Sequence, residues 1–347
     1  MSLSILSVAY PFAPIREDTA GGAEQVVLTL DRLFTRAGHS STVIAQTGSV
    51  IKGALIGIPS ICGPIDDTAK KKTHEALREA IEKTLARQRF DIVHMHGIDF
   101  ASYMPFADVP VLATLHLPLG WYEEGALRPI RPETHLNCVS VSQLKGADVC
   151  FPVVRNGVDT GSFRMAKTKG RYALSLGRVC PEKGFHIAMD AARRAGVHYA
   201  LAGSVFRYEA HERYFMDEIV PRLGRDCVFL GPVGPERKRR LLSNARCVIV
   251  PSLAPETSSL AAMESLASGT PVVAMRTGAL PEMIEDGKTG FLVDSLPEMA
   301  EAIKEAGRLS SGACVRAARE RFDASTMAEG YIGLYREILE DAHGKAK

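Results

Sequence analysis

The seven cysteines are scattered, odd in number and never arranged as Cys-x-x-Cys. Buried or free thiols in a reducing compartment explain this better than a disulfide framework. No apolar run approaches the roughly 20 residues that a membrane-crossing helix requires. The opening Met1-Ser2-Leu3-Ser4-Ile5 lacks a basic start, and serines break its apolar stretch, so it does not read as an export signal. A cytoplasmic location is expected. Charge is also nearly absent in net: +2 over 347 residues, which argues against nucleic acid as a bulk partner. The chain contains no Asp-x-Asp pair, so no divalent metal clamp on a diphosphate is indicated. No Gly-x-Gly-x-x-Gly follows the first strand, which weakens a dinucleotide oxidoreductase reading.

What is present is alternation. Leu3 to Ala9, Ser41 to Ala45, Asp91 to His96 and Val109 to Leu115 read as strands. Gly22 to Ala37, closed by Gly38, and Asp66 to Arg89 read as helices. The pattern restarts with strands at Tyr172–Leu176, Val197–Leu201, Cys227–Leu230, Cys247–Pro251 and Pro271–Ala274. Strand and helix in alternation predict parallel sheets covered on both faces. The length suits two domains. The expected fold is α/β, two Rossmann-like doubly wound domains over residues 1–165 and 166–322, facing across a cleft. A terminal helix over 323–347 is expected to pack back toward the first domain. The join is expected in the polar stretch Thr160 to Gly170. Two basic runs, Lys70-Lys71-Lys72 and Arg237-Lys238-Arg239-Arg240, read as solvated helix faces, with peripheral contact to an anionic membrane as the alternative.

Three segments carry chemistry. In Pro255-Glu256-Thr257-Ser258-Ser259-Leu260-Ala261-Ala262-Met263-Glu264, a helix is expected to start near Ser258. Its first amides lack helical partners and favour an anion. Glu256 just before the helix and Glu264 within it place two carboxylates for different parts of one ligand. The plain alternative is a capped core helix with two solvated glutamates. In Ser175-Leu176-Gly177-Arg178-Val179-Cys180-Pro181-Glu182-Lys183-Gly184, Gly177 permits close backbone approach. Arg178 offers a bidentate fork to phosphate and Lys183 a mobile charge; a surface turn with two solvated cations is the alternative. Gly21-Gly22 opens the first helix and suits either a diphosphate or a tight turn. His94, His96 and His116 form a further group. Zinc ligation is conceivable for three histidines so placed, but a strand-end histidine bonded to its surroundings is the simpler reading of His94.

Together these segments resemble the retaining GT-B glycosyltransferases of family four, also called glycosyltransferase group 1. The resemblance spans nearly the whole chain. It includes Tyr10-Pro11 with Gly21-Gly22, Asp91 to Gly97, Thr114-Leu115-His116, and Val154 to Asp159 with Phe163. It continues through Leu201-Ala202-Gly203, Phe229-Leu230-Gly231, Gly278 to Glu282 and Gly287 to Val293. The resemblance implies that Arg178 and Lys183 hold the donor diphosphate, with Gly177, Gly21 and Gly22 close by. It implies that Glu264 binds the ribose and Glu256 the donor sugar, that amides around Ser258, Ser259 and Leu260 touch phosphate or sugar, and that His116 lies beside the donor sugar. One departure stands out: the family's Gly-Phe-Gly stretch is replaced by Thr257-Ser258-Ser259, whose side chains can alter sugar choice or narrow the phosphate approach.

The implied reaction moves a sugar from a nucleoside-diphosphate sugar to an acceptor, with retention, without a metal or other cofactor. No nucleophile is evident for the opposite sugar face, so front-face attack is the working mechanism. The acceptor, whether sugar, lipid-linked glycan or small molecule, is expected near His116 to Tyr122, where Trp121 and Tyr122 can stack on a sugar or pack a loop. The rivals are a non-catalytic two-lobed sugar-binding or nucleotide-sugar-binding protein and a zinc hydrolase using His94, His96 and His116.

Overall fold

Short apolar runs in this chain form strands buried on both faces, and the amphipathic runs between them form the covering helices. The computed structural model describes residues 2–61, 63, 65–206 and 208–345. The chain divides into two units, Met1–Asn156 with Ala324–Lys347, and Gly157–Asp323.

The first unit holds strands β1 (Ser4–Val8), β2 (Ser40–Gln46), β3 (Ala54–Ile58), β4 (Ile92–Met95), β5 (Val111–Leu115) and β6 (Thr134–Cys138). They are parallel throughout and ordered β3-β2-β1-β4-β5-β6. β4 and β5 are buried at every position, as expected of parallel strands with both faces covered. Helix α1 (Gly22–Arg36) turns Val26, Val27, Leu30 and Phe34 inward. Ala37 caps it, and Gly38 follows with φ +84°, a left-handed turn that favours glycine. Helix α2 (Asp67–Arg87) is capped by Asp66, whose carboxylate accepts from Ala69 N at 2.8 Å. It buries Leu77 and Ile81 and leaves Lys70, Lys71 and Lys72 exposed.

The second unit holds β7 (Tyr172–Leu176), α3 (Phe185–Ala195), β8 (His198–Ala202), α4 (Glu209–Tyr214), β9 (Cys227–Phe229) and α5 (Pro235–Asn244). β10 (Cys247–Val250), α6 (Leu260–Ala267), β11 (Val272–Met275), α7 (Leu280–Met283), β12 (Gly290–Val293), α8 (Leu296–Ala306) and α9 (Ser311–Arg321) follow. The sheet order is β12-β11-β10-β7-β8-β9, again all parallel. Side-chain alternation splits the strands between two cores. Leu174, Val248, Val250 and Val272 feed one; Ala173, Cys247, Ile249 and Val273 feed the other. Lys169 clasps two helix ends, donating to Ser243 O at 2.7 Å and Ser268 O at 3.2 Å. Burial lowers its pKa to about 8.

Both sheets share one topology. The chain starts in the middle, builds outward on one side, then reverses, so each has a switch point: between β1 and β4, and between β7 and β10. Ligands of open α/β sheets bind beyond the carboxyl ends of the strands at such points.

The crossing between units differs from the expected join. It falls at Asn156/Gly157, and the polar stretch Thr160 to Gly170 lies inside the second unit. The Thr160 hydroxyl donates to Asp323, and Gly170 N–H to Asn244 O at 2.6 Å; these bonds make the stretch part of the fold. The chain returns at Ala324, where α10 (Ala324–Lys345) joins the first unit. Its Met327, Tyr331, Tyr335 and Ile338 are buried, with Tyr335 packed 5.9 Å from the Phe34 ring. Among the described residues no helix is long and apolar enough to cross a membrane. The six described cysteines are all free thiols.

Candidate functional site

In the second unit the switch point is built by two loops, one after β7 and one after β10, held against each other by main-chain contacts. Leu253 N and Ala254 N both donate to Glu182 O, at 2.8 and 3.2 Å. Gly184 sits at φ +61°, and a Cβ there would come within 2.4 Å of Pro251 O. That close approach brings Lys183 to Glu256: Nζ to Oε1 is 2.5 Å. Ser252 Oγ donates to the same oxygen. Glu256 is only 9% exposed, and buried carboxylates need such partners. Its backbone is pinned by a third loop. Ala279 N donates to Glu256 O at 2.6 Å, and Gly278, at φ +55°, has Glu256 O 2.2 Å from where a Cβ would stand. The Gly278-Ala279 pair therefore positions Glu256, a role not readable from the motif alone.

Gly177 and Gly203 line the neighbouring strand ends. A Cβ on Gly203 would fall 1.8 Å from Gly177 O, and Gly177 N donates to Ala202 O at 3.1 Å. Arg178 follows at once, half-buried, its guanidinium 5.6 Å from the Phe206 ring centroid. Two cations, Arg178 and Lys183, thus flank a glycine-floored strand end.

Helix α6 starts later than expected, at Leu260 rather than Ser258. Ser259 is the cap, its Oγ accepting from Ala262 N at 3.4 Å. Serine outcompetes a further helical turn because its hydroxyl bonds the first-turn amide. Ser258 Oγ is shut off from solvent without a partner. Glu264 lies further along α6, 7% exposed, and Lys238 Nζ meets its Oε1 at 2.6 Å. This corrects the reading of the basic run on α5. Arg237 and Arg240 are exposed as expected, but the Lys238 side chain is only 19% exposed and faces the site. It was missed because its partner is 26 positions away in sequence. Both glutamates are buried and paired rather than solvated.

In the first unit, Gly21 caps α1 and the Glu24 carboxylate folds back over it, its Oε2 1.8 Å from where a Gly21 Cβ would stand. Glycine is needed at this turn, which the buried Glu24 side chain already covers. Gly22 is the first residue of α1.

The three histidines occupy the ends of β4 and β5. His94 is wholly buried: Nε2 bonds Thr114 Oγ1 at 2.7 Å and Nδ1 bonds the Tyr335 hydroxyl of α10 at 2.6 Å. Thr114 Oγ1 also donates to Asn137 Oδ1 at 2.7 Å. His96 Nδ1 and His116 Nε2 share a hydrogen bond of 3.0 Å, with rings stacked at 20°. Burial pushes the pKa of His94 and His96 well down and that of His116 to about 4. Both His94 nitrogens are spent on hydroxyls and His96 Nδ1 is spent on His116, while His96 Nε2 is buried without a hydrogen-bond partner. The three-histidine zinc reading is corrected on the geometry of the ligand atoms: these rings do not form a metal-ligating group among the described residues.

Two doubly wound units of one topology, with cation–carboxylate pairs beyond the switch point of the second, define a GT-B enzyme. Residues 170–307 match the family model "Glycosyl transferases group 1", and residues 20–139 match "Glycosyltransferase Family 4". The chain belongs to this glycosyltransferase family and is a glycosyltransferase. It is 28% identical over 370 residues to a phosphatidyl-myo-inositol mannosyltransferase of Mycolicibacterium smegmatis, covering 94% of this chain and 92% of that one. Among solved structures it resembles AviGT4, a glycosyltransferase involved in avilamycin A biosynthesis, with TM-score 0.73 and 26% identity over 97% of this chain and 98% of the other. Anabaena HepE, solved with UDP-glucose, shares the fold at TM-score 0.75 and 19% identity, covering 98% and 100%.

Proposed function

We propose that this enzyme transfers a hexosyl group from a nucleoside-diphosphate sugar to an acceptor, with retention and without a metal. The observation that carries the reading is the pair of buried carboxylates, Glu256 and Glu264, each held by a lysine at the switch point of the second unit. A donor needs cations for its diphosphate and acceptors of hydrogen bonds for its ribose and sugar, and this site offers both. Arg178 and Lys183 take the diphosphate, Glu264 the ribose hydroxyls and Glu256 the sugar. The family resemblance implies that His116 also acts on the donor sugar.

The reaction breaks the bond between the anomeric carbon and the leaving phosphate. Negative charge grows on that phosphate, and fixed cations stabilise it more in the transition state than before; such terms are often the largest in catalysis. Front-face attack lets the leaving phosphate accept the acceptor's proton, and the products keep the anomeric configuration. Relatives named as phosphatidyl-myo-inositol mannosyltransferases favour a hydroxyl of a polar lipid head group or a related polyol as acceptor.

The test is turnover of a panel of nucleotide sugars, with the product anomer assigned by NMR, in the presence and absence of EDTA. Retention and unchanged rate with EDTA are expected. Inversion, or loss of activity that magnesium or manganese restores, would overturn the mechanism.

A further inference from the structure

One grouping of metal-ligating side chains lies apart from the lysine–glutamate pairs. Among the described residues, Cys180, Glu182 and His211 are brought together so that their ligand atoms all lie within 4.8 Å of one another. Cys180 and Glu182 stand on the turn after β7, and His211 stands on α4. Cys180 is fully buried, and its thiol donates to Arg178 O at 3.6 Å. The His211 ring is set edge-on to Tyr208, with centroids 5.1 Å apart, and also neighbours Phe206 at 6.3 Å. Its Nδ1 is closed off from solvent and has no hydrogen-bond partner. Leaving a polar atom buried and unpaired is costly, so the nitrogen is open to a partner from outside the chain.

We propose that Cys180, Glu182 and His211 form a site for a thiophilic divalent cation of the zinc class. A thiolate, an imidazole and a carboxylate are three of the ligand types that zinc takes in tetrahedral sites. Ligand bonds of 2.0 to 2.3 Å place neighbouring ligand atoms about 3.5 Å apart, so the observed spacing closes with a small movement. Glu182 is exposed and can make it. The sulfur and nitrogen ligands select zinc over magnesium or calcium, which prefer oxygen. Binding replaces the thiol proton: the Cys180 S–H bond breaks, an S–Zn bond forms and the proton leaves to solvent. Thiolate and carboxylate then balance the charge of the ion. Arg178 is a nearby cation that acts on all three groups, but its guanidinium lies over Phe206. This site stands on geometry of its own and does not rest on the donor reading. The ion is not placed on the reacting phosphate, so turnover in EDTA is still expected. Because Arg178 and Lys183 share the turn with Cys180 and Glu182, filling the site stiffens the segment that carries both cations.

The full chain, stripped of metal, is titrated with zinc chloride by calorimetry and with cobalt(II) by absorption spectroscopy. One ion per chain and a thiolate-to-cobalt charge-transfer band in the near ultraviolet are expected. Cys180→Ser and His211→Ala should each weaken zinc at least about tenfold, the loss typical even of residues one step removed from a metal. Cys150→Ser, which removes an exposed thiol elsewhere, should bind as the parent does, and excess magnesium should not compete. Circular dichroism and thermal unfolding accompany each variant. If Cys180→Ser or His211→Ala fails to fold, Glu182→Gln, altered at an exposed side chain, decides by the same tenfold criterion. No thiolate band, or unchanged zinc affinity in the folded variants, overturns the site.

Discussion

Glu264 and Glu256 are alike in burial and in having a lysine partner, yet the proposed reaction asks different things of them. Ribose is common to the donor and the free nucleoside diphosphate, whereas the sugar belongs to the donor alone. Replacing Glu264 with Gln should therefore weaken both ligands, by about 1.5–3 kcal/mol if charge-assisted hydrogen bonds are lost. Glu256→Gln should leave the free diphosphate nearly unaffected and lower turnover instead, because contacts that strengthen as the sugar departs act on the transition state. Calorimetry with the diphosphate, beside turnover of the donor, makes the comparison; equal weakening by both variants would sink the division of labour. Glutamine is preferred to alanine because Lys183 and Lys238 keep a partner, and stripping a buried pair of one member is strongly destabilising. The sequence motif located both glutamates, and the glycine at 177 with the cations beside it. It did not reveal Lys238, Ser252 or the Gly278-Ala279 support of Glu256, because each arrives from another loop, and one-dimensional spacing carries no record of which loops meet.

At the scale of elements, the ends of β4 and β5 and the inner face of α10 form one buried polar network in the first unit. Its histidines are held neutral by burial. The consequence for stability has a definite sign. A histidine whose pKa is depressed on folding binds a proton more readily when unfolded. Its stabilising contribution is complete above the unfolded value of about 6.5 and is lost as pH falls toward the folded value. For His116 that window runs from about 6.5 to about 4. Each such group adds a slope of up to about 1.4 kcal/mol per pH unit within its window. Denaturant unfolding of the first unit, followed by Trp121 fluorescence, should show stability falling steadily from pH 7 to pH 5, and a flat profile would contradict neutral buried histidines. Tyr335→Phe removes the hydroxyl that partners His94 Nδ1 and should lower stability by about 1–3 kcal/mol, the penalty of an unsatisfied buried group. Most elements were legible because buried parallel strands are short apolar runs. β3, β6 and β12 were not read as strands. β3 is largely exposed, with a glycine at 57, and β6 begins Thr-His and carries Asn137. Such strands are specified by their sheet neighbours rather than by their own hydrophobicity.

For the molecule as a whole, each unit has its own apolar cores: one set built around β1, β2, β4 and β5, the other on both faces of β7, β10 and β11. Most of the donor contacts proposed above lie in the second. A ligand bound there at 100 times its dissociation constant stabilises what it binds by about 2.7 kcal/mol, and the effect is largest where opening would release the ligand. Hydrogen exchange of the full chain with and without nucleoside diphosphate should therefore show slowed exchange concentrated in residues 157–323, the second unit. The strongest protection is expected in the loops carrying Arg178, Lys183 and Glu256 and at the start of α6. The amides near Gly21 and Gly22 should change little, since the Glu24 carboxylate already occupies that turn. Arg178→Ala, which leaves the buried carboxylate pairs in place, should erase most of the protection without altering exchange in the ligand-free protein. Protection centred on residues 20–139 instead would move the donor to the first unit and overturn the site assignment.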